Sequence, residues 1–165
     1  MAELTNLESK LAEVLGLAAA SKAATEKVAS MLDDDEQDLA DILEQMGHEA
    51  AETEQRCTEV AGSFDGKKTA ILDAGRETRH EAEEMMKTYL ADEDEALDGF
   101  EFLTMAEAGE VGHWAIVKKL NERAQNAVVQ ELVEWALPIQ EAHLSSALEN
   151  SLVIAGREDP DEIAE

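Results

Sequence analysis

The chain has 165 residues, 39 of them acidic and 13 basic, for a formal charge of -26 and a pI near 4.2. That length suits one domain with a single core. The charge argues against DNA, RNA or an anionic membrane surface as partners and leaves cations, basic proteins or copies of the same chain. A surface adapted to high salt has the same composition. Cys57 is the only cysteine, so no intrachain disulfide is available, and "MAELTNLESK" lacks the basic and apolar regions of a secretory signal. The expectation is a reducing, cytoplasmic setting. The longest strongly apolar run, "VLGLAAA", falls far short of the roughly 20 residues a membrane span needs.

Apolar residues recur at spacings of three and four throughout, and two prolines and nine glycines punctuate them; the pattern predicts an all-α chain. In the first segment Leu4, Leu7, Leu11, Val14, Ala18, Ser21, Thr25, Val28 and Leu32 form a bundle seam with Ser21 and Thr25 as small polar members. Its regularity suits a partner chain as well as a neighbouring helix, so a homodimer is expected. "LDDDEQ" breaks the pattern, and its aspartates suit a helix start. The second segment carries Leu39, Ile42, Leu43, Met46, Ala50, Thr53, Cys57, Val60 and Phe64 on one face, and "SFDGKK" ends it. Cys57 reads as a small buried thiol on that face.

A more polar helix is predicted from about Lys68 to Leu90, with "ADEDE" separating it from a fourth that begins near Glu95. The last helix is predicted to start at Asn126 or Ala127, and Pro138 within it removes one backbone donor. Residues 1–156 make the expected domain, with 157–165 as an acidic flexible tail.

On the fourth segment, Phe102, Leu103, Ala106, Glu110, His113, Val117, Leu120 and Ala124 cluster on one side at about 100° per residue. Glu110 and His113 thus interrupt an apolar stripe. On the last helix the same geometry groups Leu137, Glu141, Leu144 and Leu148, which predicts an inward Glu141 and an outward His143. An unpaired buried carboxylate costs several kcal/mol, so each must be partnered, protonated or bound to a cation. Facing helices that present carboxylates and a Glu-x-x-His step assemble carboxylate-bridged metal sites, whose ligands suit iron, manganese or zinc. A hydrogen-bonded Glu110–His113 pair, or Glu141 paired with His113 or an arginine, satisfies the same constraint. His48, Glu52 and His80 lie on polar faces.

The segments "LESKLAEVLGLAAA", "HEAAETEQRCTEVAGSF", "GEVGHWAIVKKLNERA" and "LVEWALPIQEAHLSSAL" resemble helices A to D of the ferritin-like superfamily, and of its small stress-associated members in particular. The resemblance implies an up-down four-helix bundle with a long, partly helical crossover over residues 66–90 between helices B and C. It implies metal ligands at Glu8, Glu52, Glu110, His113 and Glu141, and one or two iron or manganese ions serving oxidative-stress defence or iron handling. Where the family has a second Glu-x-x-His step, this chain reads Gln140-x-x-His143. The alternative expectation is a metal-free bundle acting as a structural or interaction module.

Overall fold

Thr5 opens the first helix: its hydroxyl accepts from the Glu8 amide at 3.3 Å while the Glu8 carboxylate accepts from the Thr5 amide at 2.7 Å, a reciprocal capping box. The computed structural model describes residues 2–91 and 95–161. Among these it is all helical: α1 (Asn6–Ala29), α2 (Gln37–Ala61), α3 (Lys68–Tyr89), α4 (Ala96–Ala124) and α5 (Ala127–Ala155). The centre of the acidic separator, 92–94, and the end of the tail, 162–165, lie outside the described residues. Residues 157–161 follow α5 in turns and are exposed. No helix among the described residues is long and apolar enough to cross a membrane.

The crossover expected at residues 66–90 is a continuous helix of 22 residues, α3. It packs on α1 and, more lightly, on α2. Gly16 and Gly75 set the approach of α1 to α3: a side chain at Gly16 would run into the Gly75 carbonyl, and one at Gly75 into Leu15. Only glycine lets the two backbones come so near. The rest of α3 is largely exposed and held by surface pairs such as Arg79–Glu83 at 2.7 Å.

Helix α1 is central, with α2, α3 and α4 around it, while α5 packs on α4 and α2. Its seam from Leu7 through Val28 is buried within the chain's own fold, so the seam that suggested a dimer is already occupied. The α4–α5 boundary needs neither glycine nor proline. Gln125 adopts the left-handed conformation at φ 52°, and Asn126 caps α5 by accepting from the amides of Val128 and Val129. The Asn121 side chain bonds both the amide and the carbonyl of Asn126.

The core forms two apolar clusters. One gathers Leu11, Val14, Cys57, Ile71, Trp114 and Val133; the other gathers Val28, Leu43, Leu90, Phe100, Leu103 and Ile154. Between them the bundle buries polar residues: Ser21, Glu107, Glu110, Gln140 and His143.

Candidate functional site: a buried carboxylate–histidine network

The buried face of α4 runs through Phe100, Leu103, Glu107, Glu110, Trp114, Val117 and Asn121, an unbroken alternation of three- and four-residue steps. Glu107 is 0% exposed at the middle of that face. Its Oε1 accepts a hydrogen bond of 2.9 Å from the Ser21 hydroxyl on α1, and its Oε2 accepts one from the Gln140 amide on α5. His143, one turn beyond Gln140, brings Nδ1 to 3.6 Å from the same Oε2. That distance allows charge attraction but exceeds a hydrogen bond. On its other side His143 Nε2 lies 2.7 Å from Oε2 of Glu49 on α2. Four helices therefore meet through one chain of polar contacts: Ser21, Glu107 with Gln140, His143 and Glu49.

Burial disfavours a charged imidazole at His143, but Glu107 and Glu49 outweigh it and raise the pKa above its ordinary value of 6.5. Glu49 is half-buried and opens to solvent beside a pocket of about 350 Å³ lined in part by Gln45, Pro138 and Ser146.

Glu110 stands one turn along α4 from Glu107 and is 4% exposed. Its Oε2 has no hydrogen-bond partner. Desolvation, reinforced by the Glu107 charge and opposed by the nearby Ser21 hydroxyl, pushes its pKa well above 4.5. A carboxyl so raised holds its proton and stays neutral above the usual carboxylate range. Burial also pushes the Cys57 thiol up, with Glu110 and then Glu54 adding to the effect, which makes Cys57 an inert packing residue.

The five sequence-predicted ligands do not converge. Glu110 faces inward as expected. His113 is half-exposed and its Nδ1 lies 2.9 Å from Glu13 Oε2 on α1, out of line for a hydrogen bond, so it is paired across helices and not with Glu110. Glu8 is buried but spent on the α1 cap. Glu52 is exposed and bonded to Arg56 at 2.8 and 3.0 Å, and Arg56 in turn covers the Trp135 ring at 4.0 Å.

Glu141 is exposed and His143 buried, the reverse of the expected orientation. The reason lies in the face that α5 buries: Val129, Val133, Ala136, Gln140, His143, Ala147 and Ile154. Ala136 and Ala147 are buried on that face, and Leu148, about 100° further round the helix, is left 45% exposed. A stripe chosen by leucine content pointed the wrong way. The alternation of three and four that describes α1 would have found Glu107, Gln140 and His143. Thr5-x-x-Glu8 was likewise legible as a capping box.

Among the described residues, no group of three His, Cys, Asp or Glu side chains is placed to hold a metal ion. In the Glu107 network the oxygens that an ion would need already accept from Ser21 and Gln140, so the residues in this arrangement do not fit a carboxylate-bridged centre. Comparison with family models, with curated proteins and with solved structures gave no match.

Proposed function

We propose that this chain is a ferritin-like helical bundle that serves as a binding module, with its buried Glu107 spent on fixing the register of the helices around it. The observation that carries this reading is the state of Glu107: each of its oxygens accepts from a neutral side chain supplied by a different helix. Buried polar groups that satisfy one another in this way specify a unique packing. Partners of such a module would be a basic protein, in keeping with the charge of -26, or a second copy. The exposed Leu148, Leu152 and Val153 near the end of α5 offer a surface for that copy, replacing the α1 seam.

A second reading keeps the iron or manganese chemistry that the resemblance implies. It is favoured by two buried polar atoms near Glu107 that lack hydrogen bonds, Glu110 Oε2 and His143 Nδ1. Under it, Glu107, Glu110, His143 and Glu49 would have to turn from their present partners to hold an ion, with no ligand from Glu8, Glu52 or Glu141.

Elemental analysis of tag-free protein from iron- and manganese-supplemented culture separates the two. The module reading predicts metal far below one equivalent per chain, with no uptake on anaerobic reconstitution. About one or two equivalents, lost in Glu107→Gln or Glu110→Gln, would establish the metal reading instead.

A further inference from the structure

Helices α3 and α4 both lie beside α1, but among the described residues they touch each other only lightly. The groove between them encloses about 220 Å³. Its floor is the small-residue side of α1, and its walls carry Met85 and Met86 from α3 and Phe102 and Met105 from α4. Tyr89 packs on Phe102 with ring centroids 5.5 Å apart and ties the two helices together beside the groove. Methionines adapt to flexible apolar ligands better than branched side chains do. Among these apolar walls stands Glu110, whose buried Oε2 has no protein partner.

We infer that this groove binds an amphiphilic primary amine, with the apolar tail lying between the methionines of α3 and α4 and the ammonium group taking the place of the Glu110 proton, which is released to solvent as the ion pair forms. Three observations select the cation. Glu107 lies one turn away and adds a second carboxylate near the same point; the unpartnered oxygen of Glu110 accepts an N–H donor; and the charge of -26 attracts cations while repelling fatty acids. This inference rests on the reading of the chain as a binding module and names its ligand class.

The test is calorimetric titration of the full chain with octylamine, 1-octanol and octanoate, in the wild type and two variants. Glu110→Gln keeps the shape and removes the group that can ionise to meet the ammonium. Gly109→Leu adds bulk at the groove: the glycine lines it, and a Cβ there meets no atom within 4 Å, so the backbone can accept the side chain, while leucine is the better helix former. The expected result is octylamine binding at least about tenfold tighter than 1-octanol, with octanoate weakest. Glu110→Gln should abolish the preference for the amine but keep octanol binding, and Gly109→Leu should remove both. Octylamine binding that is equal in wild type and Glu110→Gln, or unaffected by Gly109→Leu, would mean attraction to the acidic surface alone and would overturn the inference. So would the absence of octylamine binding in a metal-free chain, which leaves the module reading standing. Stoichiometric iron or manganese lost with Glu110→Gln would overturn the module reading itself.

Discussion

The two ends of the bundle and its middle are built on different principles. At the ends, Trp114, Phe100 and Leu103 are fully buried among aliphatic neighbours, and stability there comes from area removed from water. In the middle, the same helix α4 places Glu107 and Glu110 at equivalent positions of the same face. The ends are held by apolar contact, whereas in the middle Glu107 is bonded to Ser21 and Gln140 from two other helices. On the proposed reading this division keeps a bundle with a regular seam from sliding: the apolar layers supply the free energy and the polar layer supplies the register.

The largest effect is expected at an apolar end. Trp114→Ala removes the bulkiest fully buried side chain and should cost about 3–5 kcal/mol in denaturant unfolding. A loss below about 1 kcal/mol would mean that the end is not close-packed. In the polar middle, Glu107→Ala leaves the Ser21 and Gln140 donors buried without acceptors and should cost about 1–3 kcal/mol.

The middle also makes stability depend on pH in an unusual direction. Glu110 and His143 both have folded-state pKa values raised above their ordinary 4.5 and 6.5. Each then binds its proton more tightly in the folded chain. The stabilisation from Glu110 is fully present below pH 4.5, begins to fall above it, and is gone once the pH has passed its folded pKa; that from His143 follows the same course above 6.5. Unfolding measured against pH should therefore show stability declining from mildly acidic toward alkaline conditions. Glu110→Gln should flatten the lower part of that decline and His143→Gln the upper part. A profile that rises with pH over this interval in the wild type would contradict the protonation states assigned here. The smallest effects belong to Glu141 and Glu52. Both are exposed, and Glu141→Ala or Glu52→Ala should leave the unfolding midpoint essentially unchanged.

The all-α class was legible in the sequence, as were the helix starts near Lys68, Glu95 and Asn126, because caps and breakers act locally. So were the buried faces of α1 and α2, where large apolar residues follow the spacing of three and four. On α4 and α5 that spacing passes through Glu107, Gln140 and His143, while large apolar residues such as Leu137 and Leu148 lie off it. Residue size and residue spacing then disagree, and close helix packing follows spacing. Gln140 and His143 become acceptable in the core only because Glu107 and Glu49 meet them from other helices. That complementarity is a property of the assembled fold and is invisible along any one helix. The Gly16–Gly75 contact is of the same kind: it holds α3 closely against α1, where the resemblance implied only a partly helical crossover.

A double-mutant cycle between Glu107 and Gln140 tests the central claim most directly. Unfolding free energies would be measured in metal-free buffer for the wild type, Glu107→Leu, Gln140→Leu and the pair. If the middle of the bundle exists to fix register, each single change is destabilising and the double recovers part of the loss, with a coupling of about 0.5–3 kcal/mol. Additive losses with no coupling, or singles as stable as the wild type in the absence of metal, would contradict the account and turn attention to Glu107 as a ligand.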